Sequence, residues 1–211
     1  MKNKHLLLLL PLLLLNMNAC KSKVEKKPQE QVQNQKNAHE ILAPDEAVKG
    51  ESIYQLKISG KDHENKTTAL SVYEGQPVVV SMFYATCPYS CPVLIDRLKL
   101  FEKNLDENTK KNVRFLLISF DPENDTPEEL QKIMQKYHLD ASRWKLLQAE
   151  ENQVREIAAV LGIKYRKTQD GGFNHSSLIS ILDKEGKIQM QYETGKFSAE
   201  EAVGDLKKMG F

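Results

Sequence analysis

An α/β sandwich with a mixed central sheet flanked by helices is the fold class that this chain of 211 residues predicts. Three observations carry that reading. Val78–Tyr84 and Val113–Phe120 are short, nearly continuous apolar runs, the make-up of central strands covered on both faces. Segments with helical spacing or helix caps alternate with them. The chain then closes on a hairpin signal and a last helix.

The length suits one domain with a real core plus some extra segments. Ser52-Ile53-Tyr54-Gln55-Leu56-Lys57-Ile58 alternates polar and apolar residues and predicts a half-buried strand, with Leu70–Tyr73 as its partner. Gly75-Gln76-Pro77 is a turn leading into the first central strand. Beyond Pro92, the residues Val93, Leu94, Leu98, Phe101 and Leu105 recur at helical spacing. After the second central strand, Thr126 is a predicted N-cap, with Pro127 at the first helical position and Glu129 three residues after the cap. A further helix runs from about Glu151 to Leu161 and stops at Gly162. Ser177–Leu182 and Lys187–Tyr192 flank Asp183-Lys184-Glu185-Gly186, a hairpin turn, and Ser198-Ala199-Glu200-Glu201 opens the last helix as a capping box. A βαβ half followed by a ββα half is a thioredoxin-like arrangement, here with extra N-terminal strands and an inserted helix.

The N-terminus predicts export rather than fold. Lys2 and Lys4 precede an apolar run from Leu6 to Leu15, too short to span a bilayer and shaped like a signal peptide over 1–19. Met17-Asn18-Ala19-Cys20 follows and resembles a bacterial lipoprotein cleavage and lipidation site, which makes Cys20 the expected anchor. The segment 20–46 is rich in Lys, Glu, Gln and Asn and reads as a flexible tether. About 25 such residues span roughly 25–30 Å on average and about 80 Å at full stretch. The domain is expected over 47–211, in the bacterial cell envelope outside the cytoplasm. Net charge is +1, falling to −1 without Lys2 and Lys4, and no long basic run is present, so nucleic acid is not an expected partner.

The chemistry centres on Ala85-Thr86-Cys87-Pro88-Tyr89-Ser90-Cys91-Pro92, at the junction between the first central strand and its helix. Two thiols there can form a redox-active disulfide, share a soft metal ion, or alternate between the two. A helix N-terminus favours the thiolate that either chemistry needs. Three residues separate the cysteines where the common redox motif has two. As a mere staple, so small a closed loop stabilises little. A soft monovalent copper ion, Cu(I), is satisfied by two or three S and N ligands, and imidazole suits both Cu(I) and Cu(II). His175, in Phe173-Asn174-His175-Ser176-Ser177, is the candidate third ligand, because in a thioredoxin fold that loop packs against the cysteine loop. His39 falls in the tether, His63 in a polar turn and His138 at a helix end, where it complements the dipole. Thioredoxin-type oxidoreductases carry a cis-proline near the position of His175, and this chain has no proline after Pro127. Asp121 sits at the end of the second central strand, at the same sheet end as Cys87, where it can orient a metal site or act as a weak outer ligand. Asp125, Thr126 and Pro127 are explained by a turn and a helix cap.

Cys87-Pro88-x-x-Cys91-Pro92, Asp121-Pro122-Glu123-x-Asp125-Thr126-Pro127 and His175-Ser176, in that order, resemble the SCO/SenC family over roughly residues 50–205. The resemblance implies a membrane-anchored, thioredoxin-like copper protein that takes part in assembling the copper centre of cytochrome c oxidase. By position, Cys87, Cys91 and His175 would be the copper ligands and Asp121 the nearby acid. Tyr89 and Asn174 stand where family members commonly have acidic residues, which lowers the local negative charge. The expected role is a metallochaperone delivering copper to a membrane oxidase subunit. A thiol–disulfide reductase that keeps target cysteines reduced for copper loading is the alternative, with Cys87 and Cys91 as its redox pair. A peroxidase with Cys87 as nucleophile is a more distant third, since no peroxidase arginine motif is evident.

Overall fold

Val78–Phe83 is buried at every residue and pairs in parallel with Arg114–Ser119, buried at all but its first. These are the two runs expected at the centre of the sheet. The computed structural model describes residues 52–210. The expected signal peptide, Cys20, the tether and the boundary at residue 47 lie outside the described residues.

In chain order the strands are β1 (Ser59–Asp62), β2 (Thr67–Ala69), β3 (Val78–Phe83), β4 (Arg114–Ser119), β5 (Trp144–Ala149), β6 (Tyr165–Lys167), β7 (Phe173–His175), β8 (Leu178–Leu182) and β9 (Ile188–Glu193). The α-helices are α1 (Ser90–Asn104), α2 (Glu107–Asn112), α3 (Pro127–Lys136), α4 (Glu151–Val160) and α5 (Ala199–Lys208). Seven strands form one mixed sheet in the order β2-β1-β5-β4-β3-β8-β9, and β6 and β7 pair with each other in a separate ribbon. β3, β4 and β5 run parallel, while β1 and β8 join them antiparallel. The sheet with its flanking helices is the expected thioredoxin-like arrangement. Among the described residues no helix is long and apolar enough to cross a membrane.

The expected caps are present. Thr126 Oγ accepts from Glu129 N–H, with Pro127 opening α3, and Ser198 Oγ accepts from Glu201 N–H at the start of α5. Gly162, at φ +65°, follows α4.

The N-terminal strand pair is displaced from its expected positions. Ile53–Leu56 and Leu70–Tyr73 are 3-10 turns, and the strands are β1 and β2 immediately inside them. Ser52 Oγ accepts from Tyr54 N–H at 3.2 Å, which bends the chain at the start of the alternating run. Ile53 and Tyr54 are adjacent and both buried, which a turn allows and a one-sided strand does not. Four elements among the described residues carried no sequence signal, α2, β5 and the two ribbon strands β6 and β7. In β5, Trp144 stacks on Phe115 (4.5 Å between centroids) and donates from Nε1 to Glu102 at 3.0 Å. Its backbone pairs with β4 on one side and β1 on the other.

The topology decides where chemistry gathers. β3 and β4 are parallel, so the loops after Phe83 and Ser119, paired in register, leave from the same sheet end. β8 is antiparallel to β3, with Ser81 opposite Ile179, so the residues leading into β8 arrive at that end too.

Candidate metal centre

Cys87 follows β3, and Cys91 is the second residue of α1. Both are buried free thiols. Cys87 N–H donates to Tyr84 C=O at 3.3 Å, which turns the loop back. Cys91 N–H, one of the unpaired amides at the helix start, donates to Cys87 Sγ at 3.3 Å. Ser90 Oγ lies 3.1 Å from the same sulfur.

His175 ends β7, and its Nε2 lies 3.1 Å from Ser90 Oγ. Its Nδ1 lies 3.0 Å from Ser176 C=O. A carbonyl only accepts, so Nδ1 carries a proton, and Nε2 is the nitrogen turned toward Ser90 in the cysteine loop. This is the arrangement that fixes a metal-binding imidazole by its far nitrogen. The ring sits among aromatic side chains, with the Phe120 centroid at 4.9 Å and the Tyr84 centroid at 5.9 Å. Phe173 packs on both of those rings at 5.1 Å, and Tyr165 stacks on Phe120 at 5.3 Å.

Donor atoms of Cys87, Cys91 and His175 all lie within 4.8 Å of one another. Donors bonded to one ion at about 2.0–2.3 Å are at most about 4.6 Å apart. Three donors spread evenly around one ion at those bond lengths sit about 3.5–4.0 Å apart, so the three close on a single ion with shifts of up to about an ångström. Two thiols and an imidazole form a soft set that suits copper or zinc and not magnesium or calcium. The three residues expected as ligands are the three brought together.

The thiols are electrostatically unequal. Burial pushes Cys87 up, but hydrogen bonds from Ser90, Cys91 N–H and Tyr89 N–H together outweigh it and bring the thiol down to about 6. Burial pushes Cys91 far above the ordinary thiol value, and the neighbouring sulfur of Cys87 adds to it.

Two acids follow β4, and their places differ from the simplest expectation. Asp121 is buried, with its carboxylate accepting both contacts of the Asn124 amide at 2.9 and 3.0 Å. Among the described residues no carboxylate joins the three-donor cluster. Asp125, read from sequence as turn and cap, is fully buried and accepts from Ala85 N–H at 3.0 and 3.1 Å, two residues before Cys87. Ser119 Oγ accepts from Asp121 N–H at 2.9 Å and donates to Asp125 at 2.5 Å, tying both acids to the strand end. Burial pushes Asp125 up to about 6 against the hydrogen bonds from Ser119 and Ala85.

His63 lies in the turn between β1 and β2 as expected, yet it is buried, with its Nδ1 accepting from Leu146 N–H at 3.4 Å. Burial lowers its affinity for a proton, and the Lys145 ammonium lowers it further. His138 is exposed at the end of α3, with φ +52°. His39 lies outside the described residues. Ser90 and the rings of Tyr84, Phe120, Tyr165 and Phe173 are the site residues that the motifs did not single out, and Asp125, though in a motif, read only as turn and cap.

Fold and site together define a thioredoxin-like protein with a centre of two buried thiols and one half-buried imidazole. Residues 49–210 match the SCO1/SenC family, and the chain belongs to it. The SCO1 protein homolog of Bacillus subtilis strain 168 is 24% identical over 136 residues, covering 63% of this chain and 69% of the relative. The structure of Bradyrhizobium japonicum ScoI with copper bound is similar at a TM-score of 0.62 and 22% identity, over 72% of this chain and 96% of that one. BsSco, a member of the Sco family of cytochrome c oxidase assembly proteins in which a disulfide switch is identified, is similar at a TM-score of 0.64 and 21% identity, over 77% of this chain and 96% of that one.

Proposed function

We propose that this protein is a copper metallochaperone of the cell envelope, carrying copper on Cys87, Cys91 and His175 for assembly of the copper centre of cytochrome c oxidase. The observation that carries the reading is the convergence of those three donors within 4.8 Å. Copper is the cargo. A soft set of two sulfurs and one nitrogen favours it, family membership supports it, and the copper-bound ScoI shares this fold. The receiving partner is a membrane-embedded oxidase subunit. Cys20 supplies a lipid anchor to the membrane, and residues 20–46 supply the reach. Asp121 acts at one remove from the metal, through the turn it holds with Asn124 and the Ser119 hydroxyl it shares with Asp125.

The inequality of the two thiols favours a second reading. A low-lying Cys87 beside a buried, protonated Cys91 is the pattern of an attacking and a resolving thiol. On that reading the protein reduces a disulfide in the oxidase subunit so that copper can load.

One experiment separates the two. The reduced full chain is titrated anaerobically with Cu(I), wild type against His175→Ala, alongside oxidase assembly in cells and the reduction potential of the pair. A chaperone loses tight copper binding and oxidase assembly together in the variant. A reductase keeps assembly with copper binding gone. A stoichiometric complex indifferent to His175→Ala would rule out the three-donor site.

A further inference from the structure

Four large hydrophobic side chains are exposed among the described residues, and three of them stand in one line on α1. Tyr89, at the cap of the helix, is 82% exposed, Val93 47% and Leu100 49%. Spacings of four and seven residues put all three on one face, a stripe about 16 Å long at 1.5 Å per residue. The opposite face, with Leu94, Ile95, Leu98 and Phe101, is buried. Single exposed hydrophobic residues need no explanation, but a line of three calls for one. Tyr89 lies on the segment between the two cysteines, and its phenol oxygen bonds to no described residue.

The other rim of the site is the β6–β7 ribbon. Arg166 stands directly across it from Asn174, the residue before His175, and both side chains are exposed. An acid at that cross-strand position would offset the guanidinium, and Asn174 carries no charge. No acid among the described residues pairs with Arg166, whereas the adjacent Lys167 pairs with Glu123 at 2.9 Å. The cysteine side of the site thus meets solvent with an apolar rim, and the ribbon side with a spare positive charge. Cys87 and Cys91 are themselves buried, so whatever takes a metal from them comes against the residues that border them.

We propose that the α1 stripe from Tyr89 to Leu100, with Arg166 across the site, is the docking surface for the protein that receives copper, and that this acceptor sets its own metal ligands in an apolar patch with a carboxylate placed to meet Arg166. The inference rests on the copper reading of Cys87, Cys91 and His175. Tyrosine is a common anchor of protein interfaces, since a ring with two torsions brings much contact area at little entropic cost. An unpaired arginine at the rim adds attraction at a distance, which salt screens.

The test follows Cu(I) passing from the reduced full chain to the metal-free oxidase subunit in detergent, for wild type, Tyr89→Ser, Val93→Ser and Arg166→Glu. Each rate is divided by the same variant's rate of release to a small chromophoric chelator, which corrects for any change in how tightly copper is held. Tyr89→Ser is expected to slow the corrected transfer roughly tenfold and Val93→Ser roughly threefold. Arg166→Glu is expected to slow it roughly tenfold at low salt, with the difference shrinking as salt is raised to about 0.5 M. All three positions are exposed, so the variants fold. Unchanged corrected transfer in either Tyr89→Ser or Arg166→Glu overturns the proposal and leaves the copper reading standing. So does a wild type that self-associates while Tyr89→Ser sediments as a monomer, because a second copy of the chain is then the occupant of this face. A wild type that binds no Cu(I) overturns the copper reading and this proposal with it.

Discussion

Cys87 and Cys91 stand four positions apart on one short segment, yet the protein treats their protons in opposite ways. Helix-start amides and Ser90 converge on the first sulfur, and nothing comparable offsets burial at the second. The same contrast of burial against hydrogen bonding applies at Asp125, where burial prevails and holds the carboxyl at about 6. A carboxyl whose folded pKa is raised binds its proton more tightly when folded. Its contribution to stability is therefore fullest below its ordinary value near 3.8 and is lost as pH rises through 6. The window of about two pH units corresponds to about 3 kcal/mol. Urea midpoints measured from pH 3.5 to 7 are expected to lose this slope in Asp125→Asn, and an unchanged slope would place the raised proton elsewhere. At this scale the metal ligands were legible, because two motifs and a fold assumption converge on three residues. Asp125 was hidden by its own cap signal, since a turn acid and a buried acid look alike in one dimension. Ser90 was hidden for another reason: its partner His175 is 85 residues away.

The elements that could be read in advance are those whose signals are local. Thr126 and Ser198 announce helices within four residues, and β3 and β4 announce themselves by unbroken apolar runs. β5 depends instead on partners distant in sequence, β4 and β1, and its own residues, without a β-branched side chain, are neutral about it. The run from Ser52 to Ile58 misleads because alternation on paper matches a strand, whereas a serine–backbone contact bends it. That turn also explains the glycine in the β8–β9 hairpin. Ile53 N–H donates to Gly186 C=O at 3.0 Å, and a Cβ on Gly186, at φ +79°, would lie 2.6 Å from the Tyr54 ring. Gly186→Ala is expected to cost about 1–2 kcal/mol for the left-handed backbone, with the clash in addition. Denaturant unfolding checks this, with copper binding at the far end of the sheet retained. A loss below about 0.5 kcal/mol would mean the hairpin relaxes freely.

For the whole molecule, one sheet end gathers the loops after β3 and β4 and the approach to β8, which is why a thiol pair, a buried acid and an imidazole meet there. The proposed tether sets where that end can go. Cys20→Ser is expected to move the protein from the membrane fraction to the soluble envelope fraction, and to lower oxidase assembly without altering copper affinity in the purified chain. A variant still sedimenting with membranes would put the anchor elsewhere. Within the site itself the donors belong to unequal neighbourhoods. Both cysteines are built into the junction of β3 and α1, whereas His175 rides on the β6–β7 ribbon, whose strands pair only with each other. That ribbon contributes no strand to the seven-stranded sheet and touches the core through the Tyr165 and Phe173 rings. In terms of descent, the imidazole arm is a separable cassette: lineages can rewrite it to suit a new recipient while inheriting the thiol half and the core unchanged.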